Sequence, residues 1–241
     1  MKQGEFTLGN LQSSSLNAKL MNYPIATLPE RKITQNTSPI GIDRAILFDD
    51  GSYNNRQIDL TVGFEGANAD ENVSKFLAKL DTGKYEDFRM FSDENYTYQV
   101  TRSGASTKKR PDYSASYREL TVSLNAAPYK YVYPAKPIEV KENVETTIKN
   151  PTSYESKPLI HITVNGDTDL TVNGKVIHIK EVNTDIYLDS AIQDAYIEEG
   201  YTMTNANSKL SVGPYPIFKS GNNKIKLSAG TATVEGRWRS I

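Results

Sequence analysis

Apolar residues along this chain recur with two periods, and the longer one occurs once. Over residues 56–64 the alternation is strict: Ile58, Leu60, Val62 and Phe64 line one face of a strand, and Gln57, Asp59 and Thr61 line the other. Tyr96, Tyr98 and Val100 repeat that period, as do Leu120, Val122 and Leu124. The latter strand runs into Ala126-Ala127-Pro128, where a residue without an N–H is expected to end it or to sit at an edge. Between these strands, Val73, Phe76, Leu77 and Leu80 fall at i, i+3, i+4 and i+7. That spacing predicts an amphipathic helix over about 70–81, with Lys75, Ala78 and Lys79 turned outward. Asn68 and Glu71 have capping-box spacing, and Gly83 supplies a left-handed residue just beyond the end. A helix of about three turns is marginal alone in water, so a sheet must cover its apolar face.

The second half predicts no comparable helix. Residues 159–164 form a near-continuous apolar run, and 170–179 carry Asn173-Gly174 between β-formers, the sequence of a two-residue hairpin turn. Further strands are expected at 185–188, 195–198, 224–227 and 231–238, with Trp238 on the buried side beside Val234 and Ala232. Many short strands with regular turns suggest a β-sandwich. The polar stretch 102–119 reads as a long loop or projecting hairpin. Tyr133-Pro134-Ala135-Lys136-Pro137 reads as a semi-rigid connection. The expected fold class is therefore mainly β in two domains: residues 1–133, a sheet with one α-helix, and residues 134–241, a sandwich.

Composition narrows the function by exclusion. Of 241 residues, 37% are apolar and 24% charged, which suits a packed core under a solvated surface. No apolar run approaches a membrane span and the first residues lack a hydrophobic signal core, so synthesis in a cytosol is expected. The absence of cysteine excludes disulfides, thiolate metal sites and thiol nucleophiles. Sequons begin at Asn36, Asn72 and Asn95, but glycosylation needs a secretory route and is not expected. The first 130 residues carry 16 Lys plus Arg against 16 Asp plus Glu, and the remainder 12 against 13. Neither half has the excess of cations by which a nucleic-acid binder displaces counterions. The one dense run, Lys108-Lys109-Arg110, reads as a solvated loop beside Asp112.

Candidate chemistry is sparse. His161 and His178 sit in strand-like runs and read as structural; a metal site joining them to Asp185 or Asp189 would need three or four convergent ligands. Ser220-Gly221-Asn222-Asn223-Lys224 lacks the glycines and helix of a phosphate cradle and reads as a hairpin turn. Asp49-Asp50-Gly51 reads as a turn, and the adjacent acids Glu198-Glu199 point to opposite faces of a strand. No catalytic, cofactor-binding or metal-ligating residue is assigned. The 15 tyrosines suit packing, protein interfaces or a sugar-binding face.

Several of these segments, taken in order, resemble the distal tail proteins of long non-contractile-tailed bacteriophages. They are Gly51 with the strand over 56–64, the helix carrying Phe76, Leu77 and Leu80, then Phe88-Arg89 and Asp93-Glu94-Asn95-Tyr96. Ala127-Pro128-Tyr129-Lys130-Tyr131 follows, and later Val172-Asn173-Gly174-Lys175-Val176, residues 186–189 and residues 216–222. The resemblance implies an N-terminal domain that assembles into a hexameric ring and a C-terminal galectin-like sandwich around it. It implies a non-enzymatic baseplate hub at the distal end of the virion tail, assembled in the host cytoplasm. Its implied partners are the tail tube protein, the tail-associated hub or lysin protein, the tape measure protein, and receptor-binding or upper baseplate proteins, with no sequence-specific nucleic acid and no membrane. The alternative is a carbohydrate-binding sandwich for host attachment, with a Tyr or Trp238 as the platform.

Overall fold

The computed structural model describes the chain except for residues 37–39, 112–114, 201 and 212. The end of the sequon at Asn36 and the Asp112 beside the basic run lie outside the described residues. Strands dominate, in keeping with the mainly-β expectation, and the backbone divides into two compact units, Met1–Tyr133 with Ile241, and Pro134–Ser240.

The first unit opens with four short strands, β1 (Phe6–Leu8), β2 (Leu11–Gln12), β3 (Ala18–Leu20) and β4 (Ile25–Ala26). A ribbon of β5 (Arg31–Asn36) and β6 (Ile46–Tyr53) follows, then β7 (Arg56–Glu65), α1 (Ala69–Leu80), β8 (Glu86–Met90), β9 (Tyr96–Lys109) and β10 (Tyr117–Val132). The main sheet has the order β2-β1-β8-β9-β10-β7-β3, with β4 also on β7. Alternation behaves as expected in β7, whose Ile58, Leu60, Val62 and Phe64 are all buried. α1 covers them with Val73, Phe76 and Leu80; the Phe76 ring stands 5.9 Å from Phe64 and 5.6 Å from Phe6. Helix and sheet thus bury each other's apolar faces, which a helix this short requires.

Local chemistry departs from the expectation at several points. Asn68 makes no side-chain cap, and Glu71 pairs with Lys75 at 2.8 Å on the next turn instead of reaching back. The helix start is held otherwise: Asp70 accepts from Arg118 and Lys108, and the buried Asn72 amide donates to the Leu16 carbonyl. Gly83 does adopt the left-handed region, at φ +75°. Pro128 does not end its strand. β10 continues to Val132, because β7 pairs with it only as far as Ala126 and the ladder to β9 shifts register between Ala126 and Lys130. A bulge leaves residues unpaired, so no donor is missed there. Lys108 and Lys109 lie in β9 rather than in a loop, making the 102–119 region a long hairpin. Asp49-Asp50-Gly51 is a bulge inside β6, not a turn: Gly51 takes φ +79° while the Asp49 and Asp50 carboxylates accept the N–H groups of Gly51 and Ser52.

The second unit contains β11 (Ile138–Lys141), β12 (Thr146–Asn150), β13 (Leu159–Thr163), β14 (Gly166–Val172), β15 (Lys175–Val182) and β16 (Asp185–Asp189). β17 (Asp194–Glu199), β18 (Thr202–Asn205), β19 (Gly221–Leu227) and β20 (Thr231–Glu235) complete it. One sheet has the order β11-β20-β13-β16-β17-β18 and the other β12-β19-β14-β15. Ile160, Ile162, Ile186 and Val234 of the first share one core with Ile148, Leu170, Ile179 and Ile225 of the second, which makes the unit a sandwich. Asn173 and Gly174 join β14 to β15 with φ +52° and +81°, as a type I′ turn demands.

Two expectations fail in this unit. Residues 220–224 are no hairpin turn: β19 begins at Gly221, and the buried Asn223 side chain holds the incoming bend by bonding the Lys219 N–H and carbonyl and the Asn173 amide. Trp238 is not on a strand either. β20 stops at Glu235, Arg237 takes φ +46° so that its guanidinium reaches Asp189 at 2.7 and 3.0 Å, and the indole folds back over Gly236 onto Phe218.

Candidate assembly surface

The largest departure from ordinary burial lies between the short opening strands and β7. In β6, Ile46, Leu47 and Phe48 are exposed, as is Ile33 of β5; before and between the strands so are Met21, Tyr23, Ile25, Leu28, Ile40 and Ile42. The cross-strand pairs explain why. Leu47 faces Gln35 and Asp49 faces Ile33 on one side of the ribbon, while Phe48 faces Thr34 and Ile46 faces Asn36 on the other. Each side therefore carries apolar groups, and no layer formed by the described residues of this unit covers either. A two-stranded ribbon is marginal alone, and contiguous exposed apolar surface marks an interaction site.

The base of the ribbon is fixed. Arg31 makes a forked pair with Asp49, its Nε at 3.0 and 2.9 Å and its Nη2 at 2.6 Å, and its guanidinium lies 5.0 Å over the Tyr53 ring. This pairing, followed by the Gly51 N–H bond, holds the Asp49 carboxyl below the usual carboxylate range. Tyr53 packs edge-on to Tyr129 at 5.8 Å, and the Asn54 N–H donates to the Glu30 carbonyl at 2.8 Å. The arm is thus presented by a rigid root.

Sequence reasoning passed over this arm because Ala45-Ile46-Leu47-Phe48 looks like an ordinary buried strand. The available signal was the acidic pair directly after that run, flanked on both sides by polar stretches with no second apolar strand of matching length. Residues carrying the family resemblance meet elsewhere in the first unit. Tyr98 donates to Asp93 at 2.5 Å, Lys130 reaches the same carboxylate at 2.8 Å and sits 4.3 Å over the Tyr96 ring, and buried Arg56 lies 5.1 Å over Tyr98. This cluster pins β9 to the shifted end of β10. Burial, then the hydrogen bond to Asp93, holds the Tyr98 phenol protonated well above its ordinary range.

The candidate chemical residues are dispersed. His161 contacts Asp185 at 3.0 Å and His178 contacts Asp169 at 2.7 Å, in different sheets. Among the described residues no three His, Cys, Asp or Glu side chains converge as metal ligands. Asp189, the other carboxylate considered, is taken by Arg237. The rings of His161, Tyr187 and Tyr196 form a row on the six-stranded sheet, with centroids 4.3 and 5.2 Å apart and nearly parallel planes. Tyr187 is thus covered on both faces, and Trp238 is packed on Phe218. Among the described residues no helix is long and apolar enough to cross a membrane.

No protein-family model matches this sequence. No curated protein matches it either. Solved structures do. The Dit protein of phage SPP1, described as a paradigm of the hub adsorption apparatus in phages infecting Gram-positive bacteria, superposes with a TM-score of 0.69 at 12% identity, over 97% of this chain and 98% of that one. Chains of the phage P2 baseplate in its activated conformation match with TM-scores of 0.54 in the calcium form and 0.55 in the strontium form. Those matches have 11% and 12% identity and the same coverage. Across nearly its whole length, this chain therefore has the fold of a phage Dit hub protein.

Proposed function

We propose that this chain is a structural hub protein of a phage tail, a distal tail protein that acts by assembly and performs no catalysis. Residues 1–133 form the ring-building domain and residues 134–241 a galectin-like sandwich. Six copies close a ring at the distal end of the virion tail, joining the tail tube to the tail-associated hub protein. The ring leaves a passage for the tape measure protein and DNA and supports receptor-binding or upper baseplate proteins. The observation that carries this reading is the exposed, firmly rooted β5–β6 arm on a chain with the Dit fold. An arm that its own unit leaves uncovered suits a head-to-tail contact, and such contacts close into rings when the rotation permits.

Negative-stain microscopy of the purified chain at micromolar concentration tests it. Particles with a central hole and six-fold class averages are expected. A compact monomer at every concentration and salt, also in the presence of tube and hub proteins, overturns the proposal.

A further inference from the structure

The arm does not say what receives it, but the first unit carries a feature of opposite character. Asp70, Lys108, Lys109, Arg110 and Arg118 line a pocket of about 250 Å³ where the β9–β10 hairpin meets the start of α1. Four cations surround one carboxylate. Arg118, only 6% exposed, forks onto Asp70, and Lys108 reaches the same carboxylate at 2.7 Å. Lys109 and Arg110 are exposed and pair with no carboxylate among the described residues. Among the described residues that line it, the pocket holds four cations against one carboxylate.

The arm carries the complement. Asp49 is taken by Arg31, while Asp50 makes no ion pair among the described residues and feels only the longer-range attraction of Lys32; its Oδ1 accepts the Ser52 N–H at 2.7 Å and the Ser52 hydroxyl at 2.8 Å, and the carboxylate is exposed. The bulge at Gly51 breaks the ladder beside it, and Ile46, Leu47 and Phe48 lie immediately before it. An apolar strand followed by an exposed carboxylate held in place by Ser52 is complementary to a basic surface.

We infer that the Asp50 bulge of one copy seats against the basic pocket of the next, with Arg110 and Lys109 as its cationic partners. The inference rests on the proposed head-to-tail ring and names the contact that orients it. A rim charge pair of this kind sets register and encounter rate, and its effect falls with ionic strength.

A charge swap in the full-length chain tests it by sedimentation equilibrium in 50 mM and 500 mM salt, with thermal melts as the folding control. Arg110→Asp and Asp50→Arg are each expected to weaken association at least tenfold at low salt while melting as the wild type does. The double variant is expected to recover to within threefold. Singles that associate as the wild type does, or a double no better than the worse single, overturn the pairing while leaving the ring intact. A wild-type chain that stays monomeric overturns the ring and this contact together. Arg110 lies outside the strands and is exposed, so a folding defect is not expected; should Arg110→Asp melt early, Arg110→Gln gives the same readout at about half the charge change.

Discussion

Replacing Phe48 by Ser is expected to separate assembly from folding. Phe48 projects from β6 with 56% of its surface exposed, opposite Thr34 and with no core neighbour. A Phe side chain offers roughly 200 Å² to a partner, so covering the exposed share removes about 110 Å² from water, or about 3 kcal/mol at ~25 cal/mol/Å². That corresponds to about a hundredfold in a dissociation constant per contact. Phe48 is not part of the unit's core cluster, so the same substitution should change the monomer's stability by less than ~1 kcal/mol. The assay is a pair of measurements on one preparation: sedimentation equilibrium for association and urea unfolding for stability. The expected outcome is a chain that unfolds at the wild-type midpoint but associates about a hundredfold more weakly. Association within threefold of wild type would refute the arm as the assembly element. A shift of the urea midpoint equivalent to more than ~1 kcal/mol would show that Phe48 belongs to the fold itself.

Other changes should have the opposite signature. Phe76→Ala removes a fully buried ring standing between Phe6 and Phe64 and should cost about 3–5 kcal/mol, read as a urea midpoint lower by about 2 M; a midpoint within 0.5 M would contradict the packing. Gly230→Ala places a methyl against the Thr163 carbonyl at φ +84°, and a loss of about 2–5 kcal/mol with poor soluble yield is expected. Asn223→Ala leaves the Lys219 N–H and carbonyl and the Asn173 amide without their partner in a buried bend, so the chain's melting temperature should fall by several degrees. Asp70 titrates below the usual carboxylate range because Arg118, then Lys108, donates to it. Its folded value is depressed, so its stabilising contribution is present above the unfolded pKa near ~4 and is lost as pH falls through the folded value. Asp70→Asn should be less stable than wild type at pH 7, and the gap should narrow as the pH is lowered from 5 towards 2; a gap independent of pH would exclude this linkage.

The legible parts of this molecule are those in which local pattern and burial coincide. The face Ile58, Leu60, Val62, Phe64 and the helix face Val73, Phe76, Leu80 are each readable because a buried side imposes its period on the residues that form it. Asn173-Gly174 is readable because few pairs tolerate two positive φ angles. The misread positions share a different property: their conformation depends on a distant partner. Glu71 leaves its capping role for Lys75, and Trp238 leaves the strand because Arg237 turns towards Asp189 and Phe218 supplies a surface.

By itself the sequence determined that strands would dominate, that one short helix would need a sheet to cover it, and that the chain has no cysteine and no net excess of cations. Those properties follow from periodicity and composition, which are local. Only the tertiary structure decided that Ile46, Leu47 and Phe48 stay in solvent, because a strand is buried or exposed according to what folds against it. The same apolar run that would be core in another sheet is here an arm left uncovered by the described residues of its own unit, and that exposure is why the protein is read as a component of an assembly.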